Sequence, residues 1–181
     1  MLIPEAADGG PMEGVIDGVG HAHGLIGDRR STNVDMNLDR VELVWAEHRL
    51  RNQETWHYVQ ADGEFLQDGV GLVGGGTDVS FEASGHILGE SRVGGGGQID
   101  IDWARSLIEG IEVADGIAAL GVMGEGDWPD MGLRFDLQLA NAQLDGVWFP
   151  EGFESVYGRI QANEDSYDLG RIEGRMGGGD V

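Results

Sequence analysis

The sequence predicts an all-β fold with one short helix, and three observations carry that reading. The first is an alternating run near the C-terminal end: Leu133, Phe135, Leu137 and Leu139 point one way, Arg134, Asp136 and Gln138 the other. Side chains on a strand alternate faces with period 2, so this run is apolar on one face and wet on the other. The second is 33 Gly against 4 Pro, a density that disfavours long helices and suits strands joined by tight turns. The third is that helical spacing is confined to 103–111. There Trp103, Leu107 and Ile111 recur at i, i+4 and i+8, Asp102 is placed to cap the start and Gly110 sits near the end.

Taken in order, 1–30 is rich in Gly and Asp, with 14–20 a strand weakened by Gly. Val34, Met36 and Leu38 share a face; the phase then slips by one, so that Val41, Leu43 and Trp45 continue the apolar set. A one-residue slip exchanges faces unless a bulge absorbs it, which places a bulge near Asp39 and Arg40. Short strands are expected at 56–60, 63–66 and 70–73. A Gly turn at 74–76 leads into 77–84, where Val79, Phe81 and Ala83 share a face. A second Gly turn is expected at 94–97, leading to a strand at 98–102. Further strands are expected at 117–122, 147–149, 157–162 and 167–175, with a loop at 124–130. The Gly clusters at 74, 94 and 177 follow no fixed period, which argues against a regular short-period solenoid.

Charge narrows the partners. The net charge is −22; all eleven basic residues are Arg, and Lys is absent. Nucleic acid is a poor partner, because phosphate binding needs a basic patch. Anionic headgroups would be repelled by most of such a surface. Without Cys there is no disulfide framework, thiolate metal site or Cys nucleophile. Neither a signal peptide nor a run of transmembrane length is legible. The ending, Gly177-Gly178-Gly179-Asp180-Val181, reads as a turn entering a strand, and the chain is expected to be an internal segment of a longer protein.

Catalytic and metal motifs are weak. His21 and His23 share one strand face but lack a third ligand at motif spacing, so they are expected to be surface polar residues, as are His48, His57 and His86. The Gly-Asp stretches at 74–79 and 94–100 resemble calcium-binding repeats but lie 20 apart instead of nine. No G-x-S-x-G occurs, and a carboxylate pair cannot be singled out among 33 acidic residues. No enzymatic activity, metal or cofactor is expected.

Two stretches resemble the AsmA/TamB family of bacterial envelope proteins. In the first, Leu50-Arg51-Asn52 precedes 56–63, Val70, Gly76-Thr77-Asp78-Val79 and Gly85. This resembles the family's Asn after a strand and its Gly-Thr-x-apolar strand ending in Gly. The second runs from Gln98-Ile99-Asp100-Ile101 through the short helix to Trp128-Pro129-Asp130 and 133–139. It continues to Gly158-Arg159-Ile160, Leu169 and 177–181. It resembles the family's strand, short helix, paired strand, "i-G-x-i" strand and closing Gly-rich strand. Together the two cover roughly two-thirds of the chain. The family's N-terminal anchor and characteristic C-terminal region are not among the matched residues.

The resemblance implies an elongated, curled antiparallel sheet, a trough with an apolar interior, over 46–181. Residues 1–45 would be an N-terminal β segment whose start can lie further upstream. It implies a segment of a periplasm-spanning protein, held in the inner membrane by a region outside this segment. The groove would conduct phospholipid between the inner and outer membranes, and the protein would support outer-membrane protein assembly. The expected partners are phospholipid acyl chains and an outer-membrane β-barrel assembly partner met through other regions. The groove lining would comprise Val79, Phe81, Ile99, Ile101, Leu133, Phe135, Leu137 and Leu139, followed by Val147, Phe149, Ile160, Leu169 and Ile172. Periodicity alone favours an ordinary sandwich core over an open groove; the resemblance reverses that order. The alternative is a secreted or surface β-sandwich or solenoid used for adhesion.

Overall fold

In the computed structural model the chain forms one curled antiparallel sheet that does not close into a barrel. The structure describes residues 13–25, 31–45, 47–103, 105, 110–127, 130–147, 149–163, 166–176 and 179–180. The first strands are β1 (Glu13–His23), β2 (Asn33–Trp45), β3 (His48–Asn52) and β4 (Trp56–Ala61). Long central strands follow: β5 (Glu64–Gly74), β6 (Thr77–His86), β7 (Glu90–Asp100), β8 (Ile111–Asp127), β9 (Gly132–Gly146) and β10 (Phe149–Asn163). The end of the chain adds β11 (Tyr167–Leu169), β12 (Glu173–Met176) and β13 (Gly179–Asp180). Spatial order follows chain order. β3 and β4 lie end to end between β2 and β5, and β11 and β12 both pair with β10. β2 pairs with β3 from Glu42 opposite Arg51 to Trp45 opposite His48.

Turn chemistry explains the meander. Asp62-Gly63, with φ of 52° and 84°, and Gly75-Gly76, with φ of 52° and 80°, make the two-residue turns that join β4 to β5 and β5 to β6. Two successive positive-φ residues give the turn whose twist matches paired strands, and Gly or Asp tolerates that conformation best. The expected bulge is present. Asp17 pairs with Arg40 and Gly18 with Leu38, which leaves Asp39 as the extra residue. A second bulge lies at Asp68-Gly69 opposite Glu82. A third sets Asn141 and Ala142 of β9 against Gly116, with Asn141 at a φ of 58°.

Several expectations are corrected. Gly94–Gly97 is no turn: it lies in the middle of β7, paired on both sides. A Cβ on Gly97 would stand 2.1 Å from the Asp78 carbonyl oxygen, and its φ is +148°. Here Gly serves close strand approach. The expected strands at 63–66 and 70–73 are one strand interrupted by the Asp68-Gly69 bulge. Residues 124–127 extend β8 where a loop is expected. Val147 occupies the turn between β9 and β10, and 167–175 divides into β11 and β12. Of the expected helix, Trp103 and Arg105 are helical, most of the remainder lies outside the described residues, and Ile111 already belongs to β8. Among the described residues no helix is long and apolar enough to cross a membrane.

Candidate functional site: an apolar concave face

Register decides which side chains share a face. Val79 pairs with Leu72 on one side and Gly97 on the other. Gly97 pairs with Leu120, Leu120 with Leu137, and Leu137 with Ile160. This row therefore runs across six strands, from β5 to β10. A parallel row runs Val70, Phe81, Gly95, Val122, Phe135, Ala162. The row on its other side holds Thr77, Ile99, Ala118, Leu139 and Gly158.

These positions carry no charge. Inward positions on β5 are Phe65, Gln67, Val70 and Leu72, and β6 supplies Thr77, Val79, Phe81 and Ala83. Among the described residues, the positions of β7 to β10 that pair with them contain only Ser, Gly, Ala, Val, Leu, Ile and Phe. The charges occupy the opposite face. Arg40 meets Glu42 at 2.7 Å, Arg49 meets Glu42 at 3.2 Å and Arg92 meets Glu125 at 3.4 Å. Arg159 grips Asp136 from Nε at 2.9 Å, and the hydrogen bond holds the Asp136 carboxyl below its ordinary value. Glu42 is lowered likewise, chiefly by its hydrogen bond from Arg40.

The inward face is graded in burial. One cluster centres on Ile101, Ala114, Ala118, Ala142 and Val156, with Ile99, Ile111, Leu137, Leu139, Leu144 and Phe153 packed around it. A second centres on Leu50, Leu72 and Val79, with Leu43, Trp56, Phe81, Trp103 and Leu120 against it. Away from these clusters the rows open: Leu133 and Ile160 are half-buried, and Phe135 is 42% exposed. Small residues opposite large ones give the floor its relief. A Cβ on Gly95 would lie 2.6 Å from the Phe81 ring, so that ring leans over the glycine.

Both rims of the groove, where the strands end, are more polar. At one rim Gln60 is buried, accepts from the Tyr58 hydroxyl at 2.9 Å and donates to the Thr32 carbonyl at 2.9 Å. Burial pushes the Tyr58 hydroxyl up. Ser91, almost wholly buried, donates to the His86 and Gly89 carbonyls. At the other rim the connection between β7 and β8 reaches over to the β2–β3 turn. Trp103 stacks on His48 with centroids 4.5 Å apart and lies 5.8 Å from Trp45.

The sequence-derived lining divides accordingly. Val79, Phe81, Ile99, Ile101, Leu133, Phe135, Leu137, Leu139 and Ile160 share the inward face. Ile172 joins it from the β11–β12 connection, where its side chain lies over Gly158. Val147 does not line the groove: it sits in a turn and is 65% exposed. The side chains of Phe149 and Leu169 fall outside the described residues, although the Leu169 backbone pairs with Ile160. Pairing adds inward residues that alternation alone missed, notably Val70, Leu72, Leu120 and Val122. His21 and His23 lie exposed on β1, and exposed His57 meets Asp35 at 3.1 Å. His48 departs from expectation: it is buried, because Trp103 covers its ring. Comparison of the chain with family models, with curated proteins and with solved structures gives no match.

Proposed function

We propose that this chain is a segment of an AsmA/TamB-like envelope protein whose concave face holds phospholipid acyl chains and conducts them between membranes. The carrying observation is charge segregation. In a chain of net charge −22, the paired inward positions described on six consecutive strands hold no Asp, Glu or Arg. Burying a methylene gains about 0.8 kcal/mol, so an apolar channel walled from water suits a chain of methylenes. The rows run across the strands, which lie about 4.8 Å apart, and six strands give roughly 25 Å of path. The single open sheet supports this reading over an adhesion sandwich, whose second sheet would fill the face. Attachment to the inner membrane and engagement of an outer-membrane assembly partner belong to the same proposal, through regions outside this segment. The test is photo-crosslinking to labelled phospholipid from position 137, with position 138 on the opposite face as control. Equal capture at both positions would sink the proposal.

A further inference from the structure

The rim of the groove at which Trp103 crosses holds a group of side chains with a different chemistry. Glu47 and His48 stand at the β2–β3 turn, and Asp102 opens the connection after β7. One potential ligand atom from each lies within 4.8 Å of the others. Two further observations single the group out. His48 is 8% exposed, and its Nε2 has no hydrogen-bond partner among the described residues. A buried imidazole nitrogen without a partner is an unfavourable arrangement that a ligand would relieve. Both carboxylates are also drawn to a cation already: Arg105 Nη1 lies 2.8 Å from Asp102 Oδ1 and 3.6 Å from Glu47 Oε1.

We propose that Glu47, His48 and Asp102 bind a divalent metal ion, with zinc as the fitting probe, and that Arg105 takes the ion's place in its absence. One imidazole nitrogen and two carboxylate oxygens form a borderline donor set, neutral overall with a dication, that suits zinc in the three-protein-ligand arrangement. Zinc–ligand bonds of about 2.0–2.2 Å require donors roughly 3.4 Å apart, so the group must contract slightly. Glu47 has the freedom to do so, its side chain being 65% exposed. The guanidinium must swing out, since both cations want the same oxygens. Binding would join two places far apart in the chain, the β2–β3 turn and the β7–β8 connection, and so fasten the arm that carries Trp103 along this rim of the groove. The inference stands whether or not the groove carries lipid.

The test titrates zinc into the metal-free 181-residue chain by calorimetry, with excess magnesium present to saturate diffuse binding by surface carboxylates. The expected result is one zinc per chain and a rise in melting temperature. Glu47→Gln and Asp102→Asn should each weaken binding at least tenfold while leaving the metal-free melt near its starting value. Arg105→Gln should tighten binding several-fold by removing the competitor. Cobalt(II) in place of zinc should give a visible d–d spectrum that His48→Gln abolishes. If the histidine variant does not fold, the Asp102→Asn and Arg105→Gln titrations decide. Absence of a one-to-one site above the magnesium background would overturn the proposal. So would zinc affinity indifferent to Glu47→Gln and Asp102→Asn, which would leave Arg105 as the permanent counterion.

Discussion

The side-chain oxygen of Asn52 accepts a hydrogen bond from the backbone N–H of Val41 at 2.8 Å, across the bulge in β2. The same carboxamide donates to the Asp39 carbonyl at 3.1 Å and the Glu54 carbonyl at 2.8 Å. One side chain thus satisfies the ladder where β2 bulges and where β3 breaks from β4. Asn52→Leu leaves the N–H of buried Val41 unpaired, and should destabilise the sheet by about 1–3 kcal/mol in a urea melt. Asn52→Asp keeps the acceptor but loses the donors, so it should not rescue. Hydrogen exchange at the Val41 amide should accelerate in Asn52→Leu, which removes its acceptor, and much less in Asn52→Asp, which keeps it.

Leu137 discriminates between a groove and a filled core. It is half-buried and pairs with Leu120 and Ile160. In an open groove a carboxylate at 137 stays partly hydrated. Leu137→Asp should therefore lower the melting temperature modestly, by less than the several kcal/mol of a fully buried charge. Phospholipid capture from neighbouring inward positions should fall at the same time. Outright unfolding of the variant would argue for a closed core.

Gly97 tests the close approach of β6 and β7. Gly97→Ala places a methyl against the Asp78 carbonyl in a backbone conformation that L-residues rarely adopt. The variant should lose about 2 kcal/mol or more, read as a drop in denaturation midpoint. Gly94, where a Cβ would meet nothing nearer than 3.6 Å, provides the comparison: Gly94→Ala should be close to neutral.

Asp136 carries a pH signature. Its carboxyl is lowered from an ordinary 3.8, first by the hydrogen bond from Arg159. A carboxylate with a depressed folded value contributes stability that is present above its unfolded value and is lost as pH falls through the folded one. Stability tied to this pair should therefore decline only below about pH 3.8. Carbon NMR titration of Asp136 should show the lowered midpoint, and Arg159→Gln should return it toward the ordinary value. The pair is exposed, so added salt should reduce the difference.

What the sequence disclosed depended on how local the signal was. The bulge at Asp39 was legible because alternation slips by one residue there. Leu133 to Leu139 were legible because no bulge interrupts them. The glycines of β7 were misread because Gly clusters usually mark turns; only the neighbouring strands reveal that Gly97 is needed for close approach. The lengths of β8 and β9 were obscured by the bulge at Asn141, which breaks the period midway. The inward roles of Leu120 and Val122 depended on register with Leu137 and Phe135. Burial of His48 was invisible, because the residue that covers it lies in a distant connection.

The sequential order of the strands has a consequence for how the molecule comes apart. From β5 to β10 each strand pairs with the strands immediately before and after it in the chain. Such a sheet is quasi-one-dimensional: strands can zip on or peel away at an end without disturbing the middle. β1, exposed along its whole length, is placed to fray first. The stack of Trp103 on His48 works against that independence. It ties the connection after β7 to the turn before β3, so the strands between them form a loop closed by side chains and should melt as one cooperative block. Native-state hydrogen exchange would then show a gradient at the edges and a plateau between β3 and β7.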